Sequence, residues 1–127
     1  MKNNKYFLTW NKYQELVEGL AKKISRNREF SAVFGIPRGG LPIAVSLSHM
    51  LNIPLITKTP KSGFKKILVV DDISDTGNAM NMFKKYSTAS MFIKPTTKHV
   101  PDFYMVETTK WVVFPWETEK TSKYDNI

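Results

Sequence analysis

The stretch Lys66–Met80 constrains the fold of this chain more than any other part of its sequence. It opens on Ile67–Val70, an aliphatic run without polar alternation, which predicts a strand buried on both faces of a parallel sheet. Asp71, Asp72 and Asp75 follow, together with two hydroxyl residues and a glycine. Apolar residues at helical spacing then predict a helix: Ala79, Met80, Met82, Phe83 and Tyr86. A strand, a small-residue loop and a helix N-terminus in this order favour an anion-binding site.

Acidic side chains beside an anion-binding loop indicate a sugar phosphate as the ligand. Backbone amides and the hydroxyls of Ser74 and Thr76 can donate to a phosphate. The carboxylates of Asp71, Asp72 and Asp75 can accept hydrogen bonds from ribose hydroxyls, directly or through a bound Mg²⁺. The plainer interpretation is a solvated turn that caps a helix, and the context of the motif favours the ligand site over it.

Two other ligand motifs fail on the same residues. An EF-hand loop that begins at Asp72 has Phe83 at its twelfth position, where a bidentate Glu is needed. The segment Gly35–Gly40 has the glycine spacing of a phosphate-binding P-loop, but Leu41 and Pro42 then replace the required Lys and Ser or Thr. Neither a calcium site nor a P-loop is therefore predicted.

The rest of the chain alternates strand and helix patterns. We expect a helix from about Trp10 to Arg26, capped by Thr9 or Asn11. A second strand, glycine loop and helix unit spans Ser31–Leu51. Further strands are predicted at Lys5–Thr9, Ile53–Ile56, Ala89–Ile93 and Val100–Val106. The fold class is therefore α/β, a single-domain, Rossmann-like parallel sheet flanked by helices. Ligands of such sheets bind at the carboxyl ends of the strands, where five polar residues fall: Arg38, Asp71, Asp72, Asp75 and Lys94.

Composition narrows the class of protein further. The 127 residues suffice for one domain, expected over residues 1–117, with a polar tail over 118–127. The absence of Cys excludes a disulfide framework and a thiolate metal site. No apolar run approaches membrane-spanning length and no signal-peptide pattern is present, so we expect a cytoplasmic protein without membrane contact. The net charge of +8 favours anionic ligands, although spread lysines argue against nucleic acid.

The motif Asp71–Gly77 resembles the signature of type I phosphoribosyltransferases, which bind phosphoribosyl pyrophosphate. Four further segments, in the same order, resemble the xanthine-guanine phosphoribosyltransferase family, and the resemblance extends from about residue 5 to 117; the segments are Tyr6–Trp10, Arg38–Leu41, Phe92–Pro95 and Trp111–Trp116. The resemblance implies the type I phosphoribosyltransferase fold. The segment Lys58–Lys65 is short where the family carries a mobile loop, so we expect a shortened hood loop.

The resemblance also implies roles for individual residues. Asp71, Asp72 and Asp75 would be catalytic, with Asp72 holding the cofactor Mg²⁺. The residues implied to bind the 5′-phosphate are Ser74, Asp75, Thr76, Gly77, Asn78 and Ala79. Arg38 and Gly39 would bind pyrophosphate, across an Arg38–Gly39 peptide that is expected to be cis. The residues implied to bind a 6-oxopurine are Lys94, Trp111 and Val112. The family's reaction transfers the phosphoribosyl group to guanine, xanthine or hypoxanthine and releases pyrophosphate.

A second hypothesis uses the same fold without catalysis. A non-catalytic regulator would bind a nucleotide or phosphoribosyl pyrophosphate, and could contact nucleic acid through its basic surface. The short hood segment and the positive charge favour this regulator, whereas Asp75, Lys94 and Trp111 favour the enzyme. A homo-oligomer, dimer or tetramer, is expected, although a core explains the aromatic residues near the C-terminus equally well.

Overall fold

A computed structural model describes residues 4–27, 29–61, 66–118 and 120–121. The chain forms seven strands and three helices within these ranges. In chain order they are β1 (Lys5–Phe7), α1 (Trp10–Asn27), β2 (Ala32–Gly35), α2 (Gly40–Leu51), β3 (Leu55–Ile56), β4 (Ile67–Ser74), α3 (Asn78–Asn81), β5 (Ser87–Ile93), β6 (Val106–Glu107) and β7 (Trp111–Val113). The α/β class expected from the sequence is confirmed.

The main sheet has five parallel strands in the order β3-β2-β4-β5-β6. Strand β4 is central, and its residues Ile67–Val70 are all buried, as the unbroken apolar run predicts. Strands β1 and β7 pair separately, in parallel, with Tyr6 opposite Val112. This second, two-stranded sheet joins the two ends of the domain and places β7 beside the main sheet.

Helices α1 and α2 cover one face of the main sheet. Apolar residues on one stripe of α1 are buried in the main core: Tyr13, Leu16, Val17, Leu20 and Ile24. Burial of each large aliphatic side chain contributes about 1.5–3 kcal/mol, so this stripe holds α1 in place. The Thr9 hydroxyl accepts a hydrogen bond from the Lys12 amide at 3.1 Å, which confirms Thr9 as the cap of α1.

The helix predicted over residues 79–86 is much shorter in the structure. Helix α3 ends at Asn81, and residues 82–86 continue as turns, with the Phe83 amide donating to the Met80 carbonyl at 2.9 Å. The turns fold Phe83 back onto the second face of the sheet, where its ring lies 5.7 Å from that of Phe34. Because β5 begins at Ser87, no length remains for a longer helix.

Three smaller predictions also need correction. The strand expected at Val100–Val106 is limited to β6 and an isolated bridge from Phe103 to Ala89, and Pro101 has no amide hydrogen that could continue the pairing towards Val100. Strand β4 extends beyond the aliphatic run to Ser74, where it still pairs with Ile93. The cis peptide lies at Pro37–Arg38 instead of Arg38–Gly39, one residue earlier than expected.

The termini and the hood segment are only partly described. The proposed tail begins at residue 118, and the Thr121 carbonyl accepts a hydrogen bond from Arg38 Nη2 at 2.8 Å. Residues 62–65 of the expected hood loop lie outside the described residues, and Pro60 before them is buried. In the part of the chain that the structure describes, no helix is long and apolar enough to cross a membrane.

Candidate functional site

A cleft of about 500 Å³ lies at the carboxyl edge of the main sheet. It receives residues from the loop before α2, the end of β4 with its following turn, the end of β5, and β7 with the segment after it. The residues implied as functional by the sequence that line the cleft are Gly39, Asp71, Asp72, Ser74, Asp75, Thr76, Gly77, Asn78, Ala79, Lys94, Trp111 and Val112. The topology thus brings segments that are distant in sequence into one site.

The paired acids stand at the end of the central strand, where backbone amides orient them. Asp71 Oδ1 accepts the Asp72 amide and Asp72 Oδ1 accepts the Ile73 amide, each at 2.8 Å. Asp72 is buried, with 7% of its surface exposed, while Asp71 is half-buried. A Cβ on Gly39 would overlap the Asp72 carboxylate, so this glycine lets the loop before α2 approach the acid pair.

The turn that follows β4 bends at Gly77 and exposes polar residues to the cleft. Gly77 has a φ of 88°, in the left-handed region that favours glycine. The Thr76 hydroxyl accepts the Asn78 amide at 3.2 Å, which leaves its own proton for another acceptor. Asp75, Thr76 and Asn78 are exposed to the cleft. With only four residues, α3 contributes little of the helix dipole that the sequence led us to expect.

Ser74 does not contribute its hydroxyl to the cleft as the sequence predicted. Its Oγ donates to the His99 carbonyl at 2.9 Å and lies 2.8 Å from the Thr97 hydroxyl. The residue is 2% exposed, and a hydroxyl has a single proton to donate. The partners of Ser74 come from the loop after β5, which the local pattern around Ser74 cannot reveal.

Arg38 lies beside the site without lining it. Its side chain is exposed, and Nη2 donates to the carbonyl of Thr121 near the C-terminus. The neighbouring Gly39 lines the cleft next to Asp72. Of the two residues whose amides were expected to face pyrophosphate, Gly39 lines the cleft and Arg38 does not.

The far end of the cleft is formed by Lys94 and β7. The Lys94 amide donates to the Ser74 carbonyl at 3.0 Å, and its Nζ lies 3.3 Å from the Thr109 carbonyl. Trp111 lines the cleft with 54% of its surface exposed. The Trp111 amide and the Val113 carbonyl both bond to the segment that contains β1, so the peptide groups of Val112 point to the opposite edge of β7. An ammonium, an indole and the edge of β7 that faces away from β1 thus meet in one place.

Comparison with known proteins identifies the family of the chain. The crystal structure of a purine phosphoribosyltransferase from Pyrococcus horikoshii Ot3 matches with a TM-score of 0.80 and 33% sequence identity, covering 91% of this chain and 95% of that one. This chain belongs to the phosphoribosyltransferase family. The resemblance seen in the sequence is therefore confirmed, and so is the enzyme class: the chain is a transferase of the glycosyltransferase type, which favours the catalytic over the non-catalytic hypothesis.

Two more distant proteins agree with this family. A xanthine-guanine-hypoxanthine phosphoribosyltransferase from Helicobacter pylori shares the fold, with a TM-score of 0.80 at 20% identity over 94% of this chain and 98% of that one. A xanthine-guanine phosphoribosyltransferase from Idiomarina loihiensis is 23% identical over 91% of this chain and 88% of its own length. No family model matches the chain.

The cleft of this phosphoribosyltransferase also contains residues that sequence reasoning missed: Ile36, Pro37, Ile73, Met80, Phe114 and Glu117. The five uncharged residues have no reactive group, so nothing in the sequence marks them as functional. Glu117 could have been found, because its carboxylate comes directly after the aromatic segment that begins at Trp111. Its Oε1 accepts the Phe114 amide at 2.8 Å, which closes the turn at the base of this segment.

Proposed function

We propose that this phosphoribosyltransferase transfers the phosphoribosyl group from phosphoribosyl pyrophosphate to a 6-oxopurine and releases pyrophosphate. One observation carries the proposal: Lys94 and Trp111 line the same cleft as the acidic turn Asp71–Asp75. A site for the sugar phosphate alone would not need an ammonium and an aromatic plate. The names of the relatives, which include purine and xanthine-guanine phosphoribosyltransferases, support a purine as the acceptor.

The far end of the cleft fits a purine that carries a carbonyl at position 6. The Lys94 ammonium has only donors, so it selects a 6-oxo group over the 6-amino group of adenine. The exposed indole of Trp111 offers a face on which the base stacks. The Val112 carbonyl, at the edge of β7 that faces away from β1, accepts from the 2-amino group of guanine.

The other end of the cleft fits the activated sugar. The backbone amides of the turn Asp75–Ala79, with the Thr76 hydroxyl and the Asn78 side chain, hold the 5′-phosphate. The carboxylates of Asp71 and Asp72 accept hydrogen bonds from the ribose hydroxyls. The Gly39 amide faces the pyrophosphate, and we propose that Arg38 exchanges the Thr121 carbonyl for pyrophosphate when substrate binds.

The acidic pair also fits Mg²⁺. Among the described residues no group of three or more potential ligands forms a metal site on its own. Mg²⁺ commonly binds through one or two carboxylates together with substrate phosphates and water, and Asp72, buried and lining the cleft, is the ligand that we propose. When bound, the ion neutralises charge on the pyrophosphate.

The reaction breaks the bond between C1 of the ribose and the pyrophosphate oxygen, and forms a bond from C1 to a purine ring nitrogen. Cleavage at this carbon develops oxocarbenium character, which the carboxylates of Asp71 and Asp72 stabilise electrostatically. Asp75, exposed in the turn, accepts the proton that the purine ring loses. The bonding electrons leave with pyrophosphate.

The proposal is tested by the release of pyrophosphate from phosphoribosyl pyrophosphate and Mg²⁺ with each purine in turn. We expect turnover with guanine, xanthine or hypoxanthine and at least about 100-fold less with adenine, because the Lys94 donor would face an amino group. Tight binding of phosphoribosyl pyrophosphate without turnover of any base would contradict a catalytic role. Turnover with adenine alone would contradict the assignment of Lys94.

A further inference from the structure

The loop 94–99, which follows β5, is hydrogen-bonded along the phosphate side of the cleft. At one end the Lys94 amide donates to the Ser74 carbonyl at 3.0 Å, and near the other the Lys98 amide donates to the Thr76 carbonyl at 2.9 Å. Between them, Ser74 Oγ contacts the Thr97 hydroxyl at 2.8 Å and donates to the His99 carbonyl at 2.9 Å. The loop therefore holds the start of the turn through main chain and side chain.

Gly77 lets this loop lie directly against the turn. A Cβ at Gly77 would be 2.5 Å from the His99 nitrogen and 2.8 Å from Thr97 Oγ1. These separations are too short for a side chain, so the two segments are in van der Waals contact at the glycine.

The far end of the loop is fixed to the sheet. His99 Nε2 lies 3.1 Å from the hydroxyl of Thr88, a buried residue of β5. The Thr88 amide donates to Asp102 Oδ2 at 3.0 Å, and the Asp102 amide lies 3.3 Å from the Thr88 hydroxyl. The loop is thus anchored in the core of the domain and is a fixed support for the turn.

We propose that Ser74 and Thr97 are positioning residues for the 5′-phosphate: their hydroxyls join the turn 75–79 to the anchored loop and fix its backbone amides in the binding geometry. The proposal rests on the proposed function of the cleft. Ser74 has one proton, and a protein oxygen accepts it in either hydrogen-bond arrangement, so none remains for a phosphate. Thr97 does not line the cleft and acts only through Ser74 and the loop.

A support of this kind matters here because α3 is too short to hold the turn. The helix has four residues, so few intrahelical hydrogen bonds order the amides that precede it. Without the support, phosphate binding would have to order the turn and would be weaker for that reason. Since the phosphate is remote from the breaking bond, the loss should raise KM for phosphoribosyl pyrophosphate far more than it lowers kcat.

The test measures binding of phosphoribosyl pyrophosphate by calorimetry, its KM and kcat, and amide hydrogen exchange at residues 76–79. We expect Ser74→Ala and Thr97→Val each to raise Kd and KM about tenfold, as for one lost hydrogen bond to an ordered group. The two changes together should cost little more than Ser74→Ala alone, because that change already removes the contact between the two hydroxyls. Hydrogen exchange of the turn amides should be faster in both variants, and Thr97→Ser should restore wild-type binding.

Ser90→Ala is the matched control. Ser90 is also a buried serine of the central strands, and its hydroxyl donates to the Phe92 carbonyl at 2.7 Å, away from the turn. Its loss should destabilise the fold without changing Kd. Should Ser74→Ala fail to fold, Thr97→Val in the loop still carries the test.

Two results would overturn the positioning role. If Ser74→Ala weakens binding while Thr97→Val does not, Thr97 has no positioning role; unchanged hydrogen exchange of the turn amides in Ser74→Ala would then show that Ser74 contacts the phosphate directly and does not act through its bond to the His99 carbonyl. If neither variant changes Kd, the link is irrelevant to the site. Failure of the wild-type protein to bind phosphoribosyl pyrophosphate would instead overturn the proposed function, and with it the role of the link.

Discussion

Asp75 is the residue on which the chemistry of the proposed reaction depends. It lies in the turn after β4, is exposed, and lines the cleft. Its neighbours Asp71 and Asp72 have their carboxylates oriented by backbone amides, and we propose that they hold the sugar. An exposed carboxylate is free to exchange a proton with a base, so different roles follow from different surroundings.

Replacement of Asp75 by Ala should lower kcat by about 10²- to 10⁴-fold, the usual contribution of a general base. Binding of phosphoribosyl pyrophosphate should change much less, because the turn amides remain. Steady-state kinetics and calorimetry measure the two effects, and Asp75→Asn controls for the shape of the side chain. Equal losses in turnover and in binding would show that Asp75 binds substrate and does not transfer a proton.

Replacement of Lys94 by Ala should lower kcat/KM for guanine by about 10- to 100-fold, since a hydrogen bond to a charged group contributes about 1.5–3 kcal/mol. Discrimination against adenine should fall with it. Lys110→Ala is the matched control, because Lys110 is exposed, precedes Trp111 and does not line the cleft. An equal loss in the Lys110 variant would point to overall charge as the cause.

At the scale of single elements, the turn that contains Gly77 is the most constrained. Gly77→Ala places a Cβ at a φ of 88° and against the His99 and Lys98 nitrogens. We expect a loss of about 1–3 kcal/mol in the free energy of unfolding from the backbone strain, and weaker binding of phosphoribosyl pyrophosphate. Urea unfolding measures the first effect.

Gly19→Ala is the control for Gly77. Gly19 lies within α1, and a Cβ there meets only the flexible end of the Met105 side chain. Alanine also has a better helix propensity than glycine by about 1 kcal/mol. The Gly19 variant should therefore keep its stability and its binding. A stable Gly77 variant with unchanged binding would contradict the importance of the turn geometry.

The contribution of the contact between α1 and α2 to the stability of the fold depends on pH. The Tyr13 hydroxyl lies 2.6 Å from the Ser46 hydroxyl and 3.3 Å from the Pro42 carbonyl. Burial raises the pKa of the Tyr13 phenol above its ordinary 10.0, and the hydrogen bond with Ser46 partly opposes this shift. Because the folded state favours the neutral phenol, its contribution is complete below the unfolded pKa and is lost as the pH rises through the folded pKa.

Tyr13→Phe should therefore reduce stability by about 0.5–1.5 kcal/mol at neutral pH, for the lost hydrogen bond. The difference between wild type and variant should shrink above pH 10, where ionisation destabilises the wild type only. Urea unfolding at pH 7 and at alkaline pH measures both. A difference that is constant with pH would mean that the phenol does not resist ionisation in the fold.

At the same scale, the length and period of each pattern decided which elements the sequence could predict. Helix α1 and strand β4 were predictable because their apolar patterns are long and unambiguous. Helix α3 was overestimated because Phe83 and Tyr86 keep helical spacing while turns direct them to the sheet. The pairing of β1 with β7 joins the two ends of the domain, and nothing local to either strand indicates it.

At the scale of the whole molecule, the order and direction of the strands bring the residues of the site together. Parallel strands place Asp72, Asp75 and Lys94 at one edge, as the alternation of strands and helices predicted. Arg38, predicted at the same edge, does not line the cleft. The commitment of Ser74 to the loop 94–99 could not be predicted, because its partners follow a different strand. Among the described residues 57–61 of the connection between β3 and β4, none lines the cleft.

The most direct test of the account is a crystal structure of the protein with guanosine 5′-monophosphate, the product of transfer to guanine. We predict that the phosphate lies on the amides of the turn 75–79, that the 6-oxo group accepts from Lys94 Nζ, and that the base stacks on Trp111. A nucleotide bound with its base outside the cleft, or with its phosphate away from the turn, would contradict the assignment of this site to a 6-oxopurine phosphoribosyltransferase.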